Sequence, residues 1–324
     1  MYNIVGDFMR KSIYDILGKR INILNEYEKL YDLFNNEYIY SYGRSNYSLA
    51  DLFDLFIEDW EYRATYRNIE EILLDLDLDD ETTEEMAMQD ILYLIELILN
   101  IEDFIERKNA AFNKQYFDYD DRNVDLIYKK SNIITENIEI LLKKLGYKSY
   151  KEKKNKIKIR KNNADALEVA TIIEDESVAD LILDYNDFRI ENDLKAKKDI
   201  LNGLGQYIEP LRKDIKNANS SLEDYIFFCL NKLHIRHNNK SGKDKINYVA
   251  NIKKEDLINW YDKVYDLILI AIRLVEMPNY FKDFKELKKN IIEDGMIVSS
   301  EDGSNYLLNP SKKKEVLQIL KENN

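Results

Sequence analysis

Glycine and proline are scarce: nine Gly and three Pro in 324 residues, far below the usual combined share of about 12 per cent. Sandwiches, barrels and propellers need a special turn residue every 8 to 12 positions or so, which excludes a turn-rich all-β fold. Cysteine occurs once, at Cys229. One cysteine excludes an intramolecular disulfide framework and any Cys-x-x-Cys zinc or redox site, so a reducing, cytoplasmic setting is expected. No run approaches about 18 uncharged apolar residues, and the first twenty residues lack an apolar core behind a basic start, so neither a membrane span nor a secretory leader is expected. Phosphate-loop, nucleophile-elbow and His-Glu-x-x-His motifs are absent. Gly203-Leu204-Gly205 opens a G-x-G, but Ile208 replaces the third glycine in a helical context.

What is present points to helices. Apolar residues make up 45% and aromatic residues 12% of the chain, enough to offset the entropy of ordering. At about 150 residues per domain, the length suggests two domains. Apolar positions recur at three- and four-residue spacing over 4–34, 49–60 and 86–112, the pattern of long amphipathic helices. Ser48 is placed to cap the second, and Thr82 with Glu85 forms a capping box before the third. Another helix is expected over about 121–145, with Gly146 as its left-handed cap. Further helices are read at 177–185, 192–216 with a kink at Pro210, 221–237 and 254–276, the last ended by Pro278. The tail reads as a hairpin (MIVSS, EDGS, NYLL) and a helix opened by Asn309 and Pro310. The fold class expected is all-α, a multi-helix bundle in two blocks with one or two minor β-hairpins. The blocks are 1–146, an acidic helical block, and 166–324, a helical domain. Between them lies a basic segment or hairpin, 147–165, in which 156–160 pairs with 167–173 across Asn162 and Asn163.

Charge is unevenly spread. The net value is −13, yet residues 1–142 carry 14 basic and 31 acidic residues, while residues 143–161 carry ten Lys or Arg against one Glu. Lys151, Lys153, Lys154, Lys156, Lys158, Arg160 and Lys161, interleaved with Tyr147 and Tyr150, are candidates to track a phosphate backbone and stack bases. The plainer reading is a solvated linker. The stretch 75–90 holds eight acids and no base; it is either an exposed helix start or a surface that imitates phosphate. Asp75, Asp77 and Asp79 mimic the opening of a calcium loop, but Asp80 stands where Gly is wanted and Met86 where the bidentate Glu belongs, so no metal is expected there.

Both histidines fall in one heptapeptide, His234-Ile235-Arg236-His237-Asn238-Asn239-Lys240. Three residues apart, they are expected to share a helix face, with His237 continuing the stripe Leu222, Ile226, Leu230, Leu233. His237, Arg236, His234 and Asn238 are therefore the candidate catalytic residues: a histidine as general acid or base, and Arg236 on a phosphate. The alternative is that His and Asn cap the helix and Arg236 pairs with a carbonyl or an acid. Zinc through Cys229, His234 and His237 lacks a fourth ligand, and Cys229 lies off the histidine face, so no metal or cofactor is expected.

A helix ending in an Arg-His-Asn cluster, a short loop and a long final helix (INWYDKVYDLILIAIRLVEM) resembles the core hairpin of the HEPN superfamily over residues 190–278. Arg236 and His237 match the first two places of that family's motif; Ser241 or Gly242 stands where the family's downstream histidine belongs. The resemblance implies a phage-defence or abortive-infection protein that binds RNA and cleaves it without metal, typically as a homodimer. The rival expectation is a non-catalytic inhibitor or regulatory subunit that binds a protein partner through its acidic N-terminal surface. The expected partners are thus RNA or a protein, with no membrane.

Overall fold

The structure, a computed structural model, describes residues 21–78, 82–84, 86–119, 125–276, 286–289, 297–299 and 305–307. Its helices begin where a short polar side chain can accept an otherwise unbonded N–H. Asn22 accepts from the Asn25 amide at 3.1 Å and opens α1, Ile23–Asn36, whose buried Tyr27, Leu30 and Phe34 follow three- and four-residue spacing. Ser48 accepts from Asp51 at 3.0 Å and opens α2, Leu49–Phe56, as the sequence predicts. Asn68 does the same for α3, Ile69–Asp75. The long helix α4, Ala87–Tyr119, runs through the core of this region, burying Ile91, Leu94, Ile95, Ile98, Ile101 and Ile105 along one stripe. Of the capping box expected before α4, the Thr82 hydroxyl donates to the Asp90 carboxylate, and Glu85 lies outside the described residues.

The structure is mostly helical, as expected, but carries more strand than the sequence suggests. Strands β1 (Tyr40–Tyr42) and β2 (Ser45–Tyr47) form a hairpin, with Gly43 at φ +60° in its tight turn, and β3 (Ile127–Lys129) joins β1 on the other side. The helix expected over 121–145 therefore shortens to α5, Ile133–Leu145, because Ile127–Lys129 spends its backbone hydrogen bonds on β1. Gly146 ends α5 at φ +80°, its N–H returning to the Leu142 carbonyl.

The basic segment forms a hairpin with a different partner from the one expected. Strand β4 (Tyr147–Lys151) pairs antiparallel with β5 (Ile157–Lys161), Tyr147 facing Lys161 and Lys151 facing Ile157. Residues 167–173 instead lie largely in α6, Ala164–Ile172, because Asn163 accepts from the Ala166 amide at 3.0 Å and starts a helix. The hairpin is fastened to α4: Asn100 Nδ2 donates to the Ile157 carbonyl (2.8 Å), its Oδ1 accepts the Ile157 N–H (2.9 Å), and Glu96 accepts the Ile159 N–H (2.9 Å). Ile159 and Arg160 are consequently buried.

The chain divides into two compact units, the first running to Asn162 and taking back Asn186–Glu191, the second formed by Asn163–Tyr185 and the chain from Asn192 onward. The second unit holds α6, α7 (Glu176–Asp184), α8 (Leu194–Ile208), α9 (Arg212–Ala218), α10 (Ser220–Lys232), the short α11 (Asn247–Asn251) and α12, Lys254–Glu276. The core-facing residues of α12 include Leu257, Tyr261, Val264, Tyr265, Ile268 and Ile272. Tyr265 stacks on Tyr185 with ring centroids 4.0 Å apart and donates to the Ile182 carbonyl at 2.7 Å. Lys197, buried, reaches Asp262, which also accepts from the Tyr185 hydroxyl.

Two expectations for this unit change. Pro210 breaks the helix outright: α8 stops at Ile208, tight turns return the Leu211 and Arg212 amides to Ile208 and Glu209, and α9 starts afresh. A proline supplies no N–H to continue the ladder, and its ring crowds the preceding turn. The helix expected to run to His237 ends at Lys232. In the tail, β6 (Ile297–Ser299) pairs antiparallel with β7 (Asn305–Leu307), the hairpin expected there. The helix start before Ile21, Pro278, and the terminal helix with Asn309 and Pro310 lie outside the described residues.

The Asn100 pair of hydrogen bonds gives a direct test of how the hairpin is held. Asn100→Ala is expected to cost the first unit about 1–3 kcal/mol and to accelerate amide exchange at Ile157. Exchange at core positions of the second unit, such as Ile226, should be unchanged.

Candidate functional site

The candidate catalytic cluster sits where α10 ends. Leu222, Ile226, Leu230 and Leu233 are the buried stripe the spacing predicts. The helix then stops because His234 turns left-handed, at φ +63°, the position a helix usually gives to Gly or Asn. The Arg236 amide returns to the Leu230 carbonyl at 2.9 Å and closes the end. The two histidines consequently do not share a helix face: His234 is a part-buried cap, and His237 lies beyond the helix on the surface.

Arg236 points back toward α8. Its guanidinium donates to the Gly205 carbonyl at 2.7 Å, pairs with Glu209 at 2.6 Å and lies over the Phe227 ring at 5.6 Å. The Gly205 carbonyl belongs to the last turn of α8, where a cation opposes the helix dipole. A Cβ on Gly205 would meet Arg236 Nη2 and the Leu230 methyls at 3.2 Å, so the glycine is what lets the guanidinium approach. Arg212 joins the cluster, donating to buried Glu223 at 2.6 Å with its own guanidinium 4.3 Å from the Phe227 centroid.

The loop after His234 is organised by Asn239, which sequence reading passed over in favour of its neighbour. Asn239 is buried; it accepts the His234 N–H at 3.0 Å, donates to the Asp244 carbonyl at 3.2 Å and takes the Ile246 amide on its own carbonyl at 2.8 Å. Asn238 is exposed and donates to Ser241. Burial first, and then the charges of Lys198 and Lys240, hold the His234 imidazole below its ordinary affinity for a proton, with the His237 backbone opposing them.

The basic hairpin spends most of its charge internally. Lys151 pairs with Asp103, Lys158 and buried Arg160 with Glu152, and Lys161 with Glu191. Lys156 lies 5.1 Å from the centroid of the Tyr62 ring, and the Lys154 carbonyl accepts from the Tyr62 hydroxyl. Lys153 and Lys154 are the exposed residues of the turn. Lys156 and Lys158 also line a cavity of about 310 Å³ with Trp60, Tyr62 and Tyr93, next to the Glu96–Arg189 ion pair.

A second cavity, unanticipated from sequence, is an apolar groove of about 470 Å³ in the second unit. Phe228 and Cys229 of α10, Ile246, Tyr248 and Val249 around α11, and Trp260 of α12 form its walls with Leu233, and Lys232 stands at its edge. Phe228, Tyr248 and Trp260 are 59%, 65% and 39% exposed. Burial pushes the Cys229 thiol up, away from its reactive thiolate form. The signal that was available is a second run of cations: Lys232, Arg236, Lys240, Lys243, Lys245, Lys253 and Lys254 against Asp244 alone. Its aromatic neighbours lie on three separate elements, so no local pattern joins them.

Two measurements check this geometry. Gly205→Val forces the guanidinium and Leu230 aside and is expected to destabilise the protein by about 2 kcal/mol in chemical denaturation. For His234, the unfolded chain takes up a proton near pH 6.5 and the folded one only at lower pH. Stability from this residue is therefore full above about 6.5 and is withdrawn as pH falls below it. His234→Asn, which tolerates the left-handed turn, should remove that part of the pH slope. Comparison with known protein families, with curated proteins and with solved structures finds no match for this chain, so the functional reading rests on these residues.

Proposed function

We propose that the protein works by binding a protein partner through its surface, as an inhibitor or regulatory subunit would, and not by cutting RNA at the Arg236 and His237 cluster. The engagement of Arg236 carries this reading. Metal-free cleavage of RNA needs a cation aimed at the scissile phosphate and an imidazole within hydrogen-bond reach of the reacting oxygen. Here the guanidinium is held by Glu209, the Gly205 carbonyl and the Phe227 ring, while His234 serves as the left-handed residue of a helix end. The HEPN-like arrangement of residues 190–278 is in this reading a scaffold without the nuclease chemistry.

The surface offered to a partner lies in the first unit. Leu74, Asp75, Leu76 and Asp77 are consecutive and exposed at the end of α3, with Leu74 81% exposed, in the strongly acidic block. Exposed apolar side chains set between carboxylates suit a partner surface that is apolar and cationic, such as the nucleic-acid groove of another protein. A second reading, RNA binding without cleavage, is favoured by the cavity of Trp60, Tyr62 and Lys156, which joins stacking faces to a cation.

Reversing charge with Glu70→Lys, Asp75→Lys and Asp77→Lys together is expected to cut the partner captured from cell extract by tenfold or more, read by quantitative mass spectrometry. RNA incubated with the wild-type protein should stay intact. Unchanged capture, or RNA cleavage that disappears in His237→Ala, contradicts the proposal. Loss of single-stranded RNA retention in Lys156→Glu, with capture unchanged, identifies the second reading instead.

A further inference from the structure

We propose that the apolar groove of the second unit is a docking site for the exposed Leu74-Asp75-Leu76-Asp77 segment of a second copy of this chain, so that the protein self-associates. This rests on the protein-interaction reading above and names the partner.

The groove selects by chemistry. Its walls are Phe228, Tyr248, Trp260 and the aliphatic residues between them, and among the described residues no carboxylate lines it. A nucleobase enclosed between the walls, as opposed to one stacked on a ring at the rim, would leave its edge donors and acceptors without partners, which costs several kcal/mol relative to water. An aliphatic side chain loses nothing comparable and gains from burial. The volume of about 470 Å³ lies within the range of about 300–1,000 Å³ typical of binding pockets.

The rim adds the sign of the charge. Lys232 lines the groove, and Lys263 holds its ammonium 4.5 Å from the centroid of Trp260. Both are exposed and make no ion pair among the described residues, in contrast to the hairpin lysines, which meet Asp103, Glu152 and Glu191. The fitting occupant therefore carries apolar side chains flanked by carboxylates.

The chain displays such a segment. Leu74 and Leu76 alternate with Asp75 and Asp77 at the end of α3, all four exposed, and the Tyr66 hydroxyl donates to Asp75 and steadies it. Two surfaces of one molecule, one apolar and edged by exposed lysines, one apolar and flanked by the exposed carboxylates of Asp75 and Asp77, are complementary between copies. The contact is heterologous, so it either closes reciprocally into a dimer or grows into an open chain. A tetrapeptide in a groove buries less than a standard interface of about 1,600 Å², so the association is weak, with a dissociation constant of about 10–100 µM.

The single cysteine reports on the site without any mutation, because Cys229 lines the groove. Sedimentation velocity and thiol labelling are run together on the full chain from about 1 to 300 µM protein, spanning that dissociation constant. The expected result is concentration-dependent association, with Cys229 labelling slowed several-fold at the high end. Both effects should weaken in high salt. Lys232→Glu with Lys263→Glu, and separately Leu74→Ser with Leu76→Ser, should abolish both, with circular dichroism unchanged. A charge exchange that combines Lys232→Asp and Lys263→Asp with Asp75→Lys and Asp77→Lys should restore them. A monomer at every concentration overturns the inference, as does association that leaves Cys229 labelling unchanged or ignores the groove and segment variants. A monomer whose capture of another protein is still lost on Glu70, Asp75 and Asp77 reversal overturns the self-association alone and leaves the interaction reading standing.

Discussion

A proline cannot donate a backbone hydrogen bond, and much of the second unit follows from where Pro210 stands. It ends α8 two residues earlier, at Ile208, and leaves the carbonyls of the last helical turn to be satisfied from elsewhere. Arg236, 31 residues downstream of Gly205, supplies the donor, and Gly205 supplies the room. The same guanidinium neutralises Glu209 and covers Phe227. To bring Arg236 there, α10 must stop at Lys232, His234 must turn left-handed and Asn239 must gather the loop. One capping interaction thus fixes the junction of α8 and α10 and the course of the loop that carries Ile246 to the groove.

The two cationic regions of the chain are put to opposite uses. In the hairpin β4–β5, Asp103 on α4 takes Lys151, Glu152 in the hairpin's own turn takes Lys158 and Arg160, and Glu191 takes Lys161, and the hairpin becomes part of the first unit's packing. Around the groove, Lys263 lies over the Trp260 ring, Lys232 stands at the exposed edge, and neither forms an ion pair among the described residues. Linear charge density misleads here because what decides the field of a patch is the charge left after neighbours from distant parts of the chain have paired. The net −13 of the chain says little about either region.

Much of the helical architecture was legible because it is local. Three- and four-residue spacing located α1, α2, α4, α10 and α12, and Ser48 and Gly146 marked ends that the structure bears out. What escaped was non-local. The strand β1 is three residues long; its local pairing with β2 across Gly43 is too short to show as a pattern, and its other partner, β3, is almost ninety residues away in sequence. Asn162 and Asn163 looked like a hairpin turn, yet whether Asn163 caps a helix depends on β5 already having a partner in β4. At the site, the two histidines and Arg236 were singled out because histidine is rare; that Arg236 meets a carbonyl and an acid was one of the two readings the sequence left open, and its partners Gly205 and Glu209 could not be named because they lie far upstream. The groove was invisible because Phe228, Tyr248 and Trp260 sit on three elements.

The central claim is that Arg236 holds the fold together and is not offered to a substrate. Thermal and chemical unfolding of Arg236→Ala beside His237→Ala tests it most directly. The account predicts a loss of about 2 kcal/mol for Arg236→Ala, since a charge-assisted hydrogen bond and an ion pair at a helix end disappear, and no change for exposed His237→Ala. An Arg236→Ala protein as stable as the wild type, with an RNA-cleaving activity lost in both variants, would contradict it.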